Sequence, residues 1–481
     1  MKKIISILAL SIVFMASCKK SFIELTPISS VSVDAVYKTD KDFQDATTGV
    51  YSTYEDQYQN FWMFGDVRGD DSWQQVIKNS PWYFVDVFTT NSSDGLMSST
   101  WLNYYKIIYG SNTILSKITA ADSAVVTHKQ RYTGEARFLR ALAYFDLVRI
   151  FGDVPLITKP VTIEESYKIG REKVDNIYNQ VIIPDLIAAE AALPLKYTGA
   201  DIGRVTKGAA SALLGKVYLY RKDFVNAEKK FQEVTTMGYA LLANYNDLFD
   251  YTKDEHHSEY IFDIEYEQGI GRGSIFTNQF MPNSGPMATF YGVNGTLQET
   301  NSPTQKLMDA FDPNDKRKDI TVGVAGGFYN ANHDFVTLPP QTSQTYTKKY
   351  LTPVQTGNDS RANWKVIRYG DVLLMYAEAL NENGKTTDAL QYLNQLRTRA
   401  GLAGYSGLSQ SDTREKIYLE RRLELSFEGQ RWFDLVRTGR AYDTMKATGM
   451  QPYMTVFPVP LTQIQLMNNP SIFPQNPGYG Q

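Results

Sequence analysis

The sequence predicts a mainly α-helical protein, a scaffold of tetratricopeptide-like helix pairs that carries an irregular insert of loops and short strands. Two observations lead to this prediction. Most of the chain places apolar residues at three-to-four spacing, which is typical of amphipathic helices. Residues 244–351 lack that period, and Gly, Asn, Pro and Thr punctuate short aromatic runs there. With 43% hydrophobic and 21% charged residues, the chain has ample material for a core.

The helices can be placed in order from apolar periodicity and from their end signals. The first begins near Asp40, with Asp42 as a candidate N-cap. A later helix is followed by Gly152 and Pro155, which are helix-stop signals. Pro184 predicts a kink or break in the helix that contains it. After the first, the predicted helices cover 99–119, 129–151, 174–193, 206–220, 224–237, 369–381, 386–400 and 413–427.

Two helix pairs have the same spacing of small and apolar residues. Positions twelve and then four residues apart recur in the two halves of the chain, as Gly215, Ala227, Phe231 and as Ala377, Ala389, Leu393. Small residues at such positions let two short helices cross closely, which is the logic of tetratricopeptide repeats. A single pair cannot bury its apolar face, so the pattern predicts stacked pairs that share a core.

The segment 60–94 is dense in aromatic residues but has neither a helical nor a strand period. Gly65, Gly69 and Pro81 interrupt it. We therefore predict loop and short strand here. Because exposed aromatic rings stack on the apolar faces of sugars, this segment is also a candidate ligand surface. Trp101 and Trp432 lie on amphipathic helices instead, and we assign them to the core.

The N-terminus has the layout of a secretory signal. Lys2 and Lys3 precede a short apolar run, and Ala16 and Ser17 come directly before Cys18, the only cysteine. The run is shorter than the ~20 residues of a membrane-spanning helix. The sequence Met15 to Cys18 is similar to a bacterial lipobox, so we expect Cys18 to carry the lipid, acyl chains such as palmitate. An ordinary secreted protein with a chance cysteine is the alternative.

These patterns predict three parts. Residues 1–17 form the signal peptide, and residues 18–39 form a lipidated tether. Residues 40–481 form one domain, in which 40–243 and 352–481 are helical scaffold and 244–351 are the insert. We refer to residues 244–351 as the insert below.

Composition and motifs argue against several functional classes. A net charge of −3 argues against a nucleic-acid partner, which calls for clustered basic surface. Metalloprotease, phosphate-loop and nucleophile-elbow motifs do not occur in the sequence, so we predict no catalytic residue, metal or cofactor. A glycan hydrolase that uses Asp70 or Asp71 is an alternative of a different class, since paired carboxylates can cleave glycosidic bonds.

Long motifs of this chain resemble the SusD/RagB family of surface lipoproteins. The strongest covers Glu135–Leu156, and a second covers Glu420–Arg437. The charged residues of both motifs have spacings that favour ion pairs between helices rather than a binding site. Further blocks that resemble the family are residues 101–115, 207–220, 368–381, 393–401, 457–460 and 476–479. The resemblance covers nearly the whole chain after Cys18.

The resemblance implies a non-catalytic protein at the outer membrane, facing the cell exterior. Such a protein binds glycan or oligosaccharide nutrients and delivers them to a SusC-like TonB-dependent transporter; peptides are the alternative ligand. It also implies a ligand site made by an N-terminal loop and by loops of the insert. The candidates in the N-terminal loop are Trp62, Asp70, Asp71, Trp73, Trp82 and Tyr83, and those in the insert are Asn283, Tyr291, Asn294 and Phe328.

Overall fold

A computed structural model describes residues 36–74 and 77–480 of the chain. The fold is mainly α-helical with short strands, as predicted. The predicted signal peptide and Cys18 lie outside the described residues. Within them, the helices longer than five turns occur in the N-terminal half, and shorter helices fill the rest.

The N-terminal helices begin where the sequence supplies caps. Thr39 and Asp42 form a reciprocal capping box at the start of the first helix, which satisfies backbone N–H groups that a helix leaves unpaired. Thr206 caps another helix by accepting from the N–H of Ala209. The helices of this half are α1 (Asp40–Tyr58), α2 (Pro81–Asp86), α3 (Gly95–Ala120), α4 (Lys129–Phe151), α5 (Ile163–Ser166), α6 (Val174–Ile177), α7 (Ile183–Ala192), α8 (Lys207–Tyr220) and α9 (Phe224–Thr235).

The C-terminal half adds short helices in the insert and a second set of scaffold helices. The helices are α10 (Phe276–Phe280), α11 (Gly285–Tyr291), α12 (Gln305–Ala310), α13 (Lys318–Thr321), α14 (Tyr369–Glu382), α15 (Thr386–Arg399), α16 (Gln410–Glu424), α17 (Arg431–Arg437), α18 (Ala441–Met445) and α19 (Leu461–Met467). None of the described helices is both long enough and apolar enough to cross a membrane.

The two predicted helix pairs are α8 with α9 and α14 with α15. In the first pair, a Cβ on Gly215 would lie 2.6 Å from the ring of Phe231, so only glycine allows the helices to cross this closely. The first pair turns at Lys222 and the second at Gly384, both with positive φ. The two pairs also contact each other. The side-chain amide of Asn383, at the end of α14, donates a hydrogen bond over 3.0 Å to the carbonyl of Phe224, at the start of α9.

One segment differs from the sequence prediction. The stretch 60–94, predicted as loop and strand, contains a π-helical turn at Met63–Val67 and the helix α2. The break predicted at Pro184 is present. A π-helical turn at Tyr178–Ile182 interrupts the α-helical geometry, and Pro184 lies in the first turn of α7 directly after it.

The strands are short and pair two at a time, each pair antiparallel. They are β1 (Ser72–Trp73), β2 (Val154–Pro155), β3 (Arg171–Glu172), β4 (Tyr260–Ile264), β5 (Ser302–Pro303), β6 (Gly327–Tyr329), β7 (Phe335–Thr337) and β8 (Trp364–Arg368). The pair of β1 and β5 joins the N-terminal segment to the insert, with Trp73 opposite Ser302. The pair of β4 and β8 joins the start of the insert to the second scaffold half.

The apolar interior consists of a main core and a small core. The main core fills the space among the scaffold helices and includes Trp101 and Trp432, as predicted. The small core lies within the insert and its flank, and consists of Met281, Met287, Val293, Leu297, Phe328, Leu338, Tyr346 and Val354. The two cores are separate clusters of buried side chains.

Buried ion pairs fasten the insert to the scaffold. Arg317 of the insert is fully buried and contacts Glu420 at 2.7 Å and Glu424 at 3.0 Å, both on α16. Lys349 of the insert contacts Glu428 at 2.7 Å. The charged residues of the motif at 135–156 pair in the same way, since Arg140 contacts Asp185 at 2.7 Å. The prediction that these motifs serve interhelical pairing is confirmed.

Candidate ligand-binding site

Trp62 does not form part of a ligand surface, contrary to the sequence prediction. Its side chain is completely buried, because the π-helical turn directs it into the main core. The ring meets Phe280 edge-on at 5.3 Å, and its Nε1 donates to the carbonyl of Gln59 over 2.8 Å. A ring with no exposed face cannot stack on a sugar, so Trp62 serves packing.

Asp70 and Asp71 are also structural, and this corrects both their assignment as ligand contacts and the hydrolase alternative built on them. Arg431 Nε donates to Asp70 over 2.7 Å, and Arg422 Nε donates to Asp71 over 2.6 Å. The two carboxylates are at most 7% exposed. Burial alone would raise the pKa of Asp70, but the nearby Arg431 and Arg422 hold it well below its usual range. The pair fastens the N-terminal segment to α16 and α17.

Trp73 is the predicted residue that links the N-terminal segment to the insert. It lies on β1, half-buried, and its Nε1 donates to the carbonyl of Pro303 over 3.1 Å and to Thr345 Oγ1 over 3.3 Å. Thr345 directly precedes Tyr346 of the small core. The ring of Trp73 is therefore held in place at the border of the insert.

Trp82 and Tyr83 lie on α2, next to each other in sequence, and both are half-buried. Trp82 packs on the main core and is tilted against Trp62 at 6.5 Å. Its Nε1 is buried and has no hydrogen-bond partner among the described residues. Tyr83 contacts Phe84 edge-on at 6.1 Å. The structure therefore places Trp82 beside the main core.

In the insert, Tyr291 forms part of an exposed aromatic surface. It ends α11, and the left-handed Gly292 that follows turns the chain away. Its ring lies 4.9 Å from that of Phe290 and 6.5 Å from that of Phe328. Phe290 is 41% exposed, whereas Phe328 is buried. We call the surface formed by Phe290 and Tyr291 the aromatic platform. Phe328, a sequence candidate for ligand contact, is instead its floor.

The small core keeps the aromatic platform rigid. Phe328 belongs to that core, and the ring of Phe290 lies 5.2 Å above it. Burial raises the pKa of Tyr291, and its hydroxyl hydrogen bonds to that of Tyr346, which opposes the rise. Tyr291 is therefore neutral and fixed. A neutral phenol on a rigid support can stack on one face of a ligand while its hydroxyl stays occupied.

The predicted polar partners Asn283 and Asn294 flank the platform in sequence, and both are exposed. Asn283 lies one residue before the cap of α11, which is Ser284. Asn294 uses its amide Nδ2 to donate to the carbonyl of Gln355 over 3.0 Å, which leaves its Oδ1 as an acceptor. Amide groups of this kind fix the hydroxyls of a ligand beside an aromatic ring.

Sequence reasoning missed three exposed aromatic residues. Phe290 precedes the predicted Tyr291, and the adjacent aromatic pair behind Gly285 and Pro286 was an available signal. Tyr329 and Phe335 end β6 and begin β7, and their rings are 5.5 Å apart across the hairpin. They are 53% and 47% exposed. The hairpin turn at residues 330–334 was the signal that could have paired them.

The resulting site is a surface and not a deep cavity. Of the sequence candidates, Trp73 lies at the border of the insert, and Tyr291, Asn283 and Asn294 lie on the insert with exposed or half-buried side chains. Trp62 instead serves packing, and Asp70 and Asp71 serve ion pairing. Exposed aromatic rings over a rigid floor, with neutral amides beside them, suit an extended, uncharged, hydroxyl-rich ligand. Asp70 and Asp71, the carboxylates among the sequence candidates, are both engaged by arginines.

Models of two families match the chain. The SusD family model matches residues 242–479. A model described as starch-binding associating with outer membrane matches residues 21–219. Among curated proteins, SusD-like protein P2 of Formosa agariphila is 28% identical over 95% of this chain and 96% of its own length. The starch-binding protein SusD of Bacteroides thetaiotaomicron is 25% identical over 73% of each chain.

Solved structures give the same result. A laminarin-binding SusD-like protein superposes with a TM-score of 0.79 at 28% identity, covering 92% of this chain and all of the other. A SusD superfamily protein from Bacteroides vulgatus has a TM-score of 0.78 at 25% identity, with 92% of this chain and all of the other covered.

Proposed function

This chain belongs to the SusD/RagB family, and on that basis we propose that it is a non-catalytic glycan-binding protein of the bacterial cell surface. Its ligand site is the aromatic platform with Trp73, Asn283 and Asn294. Cys18 anchors it to the outer membrane, and a SusC-like TonB-dependent transporter receives the glycan. The platform is the observation that carries the proposal.

The chemistry of the platform supports a neutral glycan. Each pyranose presents an apolar face of C–H groups that stacks on an aromatic ring, and hydroxyls at its edge that need donors and acceptors. Phe290 supplies an exposed ring, and Asn294 Oδ1 supplies an acceptor. An open surface can hold internal units of a long chain, whereas a closed pocket selects chain ends. A relative whose name states laminarin binding has the same fold, and one whose name states starch binding is 25% identical in sequence.

The state of two carboxylates supports binding without catalysis. Asp70 and Asp71 each bind a guanidinium group, so they are not placed to protonate a glycosidic oxygen or to activate water. A retaining or inverting hydrolase needs two such groups free on either side of the bond, about 5 Å or more apart.

The experiment is a binding panel with a matched pair of variants. We expect purified protein to bind at least one of laminarin, starch, xylan, mannan and host glycans in isothermal titration calorimetry, with no increase in reducing ends. The double variant Phe290→Ala/Tyr291→Ala should weaken that binding at least about tenfold, since each stacking ring contributes of order 1 kcal/mol. Tyr442→Ala is the control, because Tyr442 is also 41% exposed but lies on α18.

Three outcomes would contradict the proposal. Binding that survives the double variant would place the site elsewhere. Steady release of reducing ends would make the protein a hydrolase. Binding of peptides but of no glycan would keep the architecture and change the ligand class.

A further inference from the structure

Two adjoining hollows follow β4, and neither shares a residue with the aromatic platform. The larger, of about 460 Å³, lies between the loop at residues 194–206, the chain after α9 and residues 256–261. The smaller, of about 230 Å³, lies between the same loop, α1 and residues 263–265. Ile202, Gly203 and Arg204 line both. We call the two together the β4 cleft. The larger hollow alone has a volume typical of small-ligand sites, roughly 300–1,000 Å³.

Glu265 lies at the junction of the two hollows. Its Oε1 accepts from Tyr260 Oη over 2.6 Å and lies 2.8 Å from His256 Nε2. Gly203 has φ of +93°, and a Cβ there would lie 2.9 Å from both carboxylate oxygens. Glycine at this position therefore lets the carboxylate reach the loop. Because both named contacts go to Oε1 and the side chain is 34% exposed, Oε2 is an acceptor that a ligand can use.

The walls combine aromatic rings with an apolar rim. Leu195 and Ile202 are 59% and 45% exposed and lie at the rim of the larger hollow. Tyr197 and His257 lie in its wall, and Tyr197 Oη and His257 Nε2 are buried without a hydrogen-bond partner among the described residues. Buried polar atoms of this kind carry a free-energy cost until a partner is supplied. Apolar residues around convergent polar groups are the pattern of a ligand site.

Most of the charged groups of the cleft are already paired. Arg204 contacts Glu135 at 3.0 Å and Asp201 at 2.9 Å. Glu55 accepts from Arg272, and Glu265 is paired with His256. Lys196, an exposed residue of the larger hollow, stands apart from these pairs. A charged ligand that bound at Arg204 or Glu265 would have to compete with their partners, whereas a neutral ligand with many hydroxyls needs only hydrogen-bond partners.

We propose that the β4 cleft is a second carbohydrate-binding site, which takes a short, neutral sugar of one or two units. It extends the proposed glycan-binding function, but it does not depend on the platform. The two hollows meet where Tyr260 Oη lies 3.4 Å from the carbonyl oxygen of Gly203. The loop therefore approaches β4 at that point and interrupts the path that an extended peptide would need along the strand edge.

The test uses protein labelled with ¹³C at isoleucine δ1 and methionine ε methyl groups. Maltose, cellobiose, laminaribiose and lactose are titrated separately. We expect the methyl signals of Ile202 and Ile261 to shift with at least one disaccharide. The signal of Ile163, 78% exposed on α5, should not shift. Met287 lies in the small core under the platform and reports that site separately. Failure at one site is thus distinguishable from failure at the other.

Two variants test the assignment of residues. Tyr197→Phe removes only the buried hydroxyl and should raise the Kd at the cleft about fivefold, as expected for one hydrogen bond. Ile202→Arg should abolish the shift of Ile261, whereas Ile163→Arg should leave it unchanged. The proposal is overturned if no disaccharide shifts Ile202 or Ile261. It is equally overturned if trialanine shifts them and the sugars do not, or if Ile202→Arg leaves the Ile261 shift intact.

Discussion

Arg368 shows how single residues hold this protein together. It precedes α14, is almost fully buried, and donates to three carboxylates. The distances are 2.8 Å to Glu259, 2.6 Å to Glu424 and 2.7 Å to Glu428. Glu259 lies in the insert, whereas Glu424 and Glu428 belong to the scaffold. Several carboxylates in a low-dielectric interior are tolerated only when cations stay beside them.

Replacing this arginine should be strongly destabilising. In Arg368→Met the three carboxylates lose a shared cation, and we expect the free energy of unfolding in urea to fall by about 3–5 kcal/mol. Arg414→Met is the control. Arg414 pairs with Glu382 at 2.6 Å, but its side chain is 31% exposed, so its loss should change stability by less than about 1 kcal/mol. Similar losses for both variants would contradict this account of the buried network.

Asp66 gives a prediction about pH. Burial raises its pKa to about 8, although the Gly429 N–H donates to it over 2.8 Å. In the unfolded chain a carboxyl titrates near pH 4. The folded state therefore binds the proton more tightly, and this residue's contribution to stability is full below about pH 4 and is lost as pH rises toward 8.

Asp66→Asn should remove that contribution to the pH dependence, because the amide resembles the protonated acid. Compared with the wild type, the variant should become progressively more stable between pH 4 and 8, by a few kcal/mol, and should show no advantage at pH 4. Urea unfolding at several pH values measures this difference in the free energy of unfolding. Asp56→Asn, at an exposed position of α1, is the control and should have the same stability as the wild type at each pH. A pH-independent difference for Asp66→Asn would refute the argument.

At the scale of elements, the close crossing of α8 and α9 depends on Gly215. Alanine normally stabilises a helix interior relative to glycine by up to about 1 kcal/mol. At Gly215 the added methyl would lie 2.6 Å from the Phe231 ring, so Gly215→Ala should destabilise the protein by about 1–3 kcal/mol through overpacking. Gly49 on α1 has no atom within 4 Å of its missing Cβ, so Gly49→Ala should be neutral or stabilising. Thermal unfolding of both variants shows whether crowding of Phe231 outweighs the higher helix propensity of alanine at Gly215.

The elements were predictable from sequence where local signals agree. The helix at 129–151 was predicted with the bounds that the structure has, because its apolar period and its Gly152 stop coincide. The helix pairs were predictable because the spacing of Gly215 and Phe231 is itself a packing constraint. The π-helical turn at Met63–Val67 was not predictable, since its apolar residues follow no regular period.

The candidate site was less predictable, because burial depends on tertiary packing. Trp62 and Trp73 belong to the same aromatic segment without a regular period, yet one is in the core and the other is half-buried. Asp70 and Asp71 find their partners on residues more than 350 positions away, a distance over which sequence gives no signal. In the insert, the prediction chose Tyr291 and overlooked its more exposed neighbour Phe290.

At the scale of the whole molecule, the proposed tether determines how the protein works. In the proposed function, a separate transporter carries the glycan across the membrane. A lipid at Cys18 would restrict the body to the membrane surface and raise its effective concentration near a transporter. Even a modest interface between the two would then suffice.

We expect the wild-type protein to copurify from native membranes with a large outer-membrane transporter. Cys18→Ala should leave the folded body intact, as judged by circular dichroism and glycan binding, but release it from the membrane fraction. If the variant still sediments with membranes, something other than acylation holds it there. If the wild type elutes alone in mild detergent, a free-standing surface binder is the better description.

The separate small core beneath the platform has a consequence for engineering. Phe290 and Tyr291 are supported by a compact cluster of their own, and the helix pairs that set global stability pack around a different one. Ligand preference and melting temperature are therefore largely separable properties of this molecule. Libraries of substitutions at positions 290, 291 and 294 of the proposed binding face can therefore be screened for new sugar specificities while the helical scaffold stays unchanged.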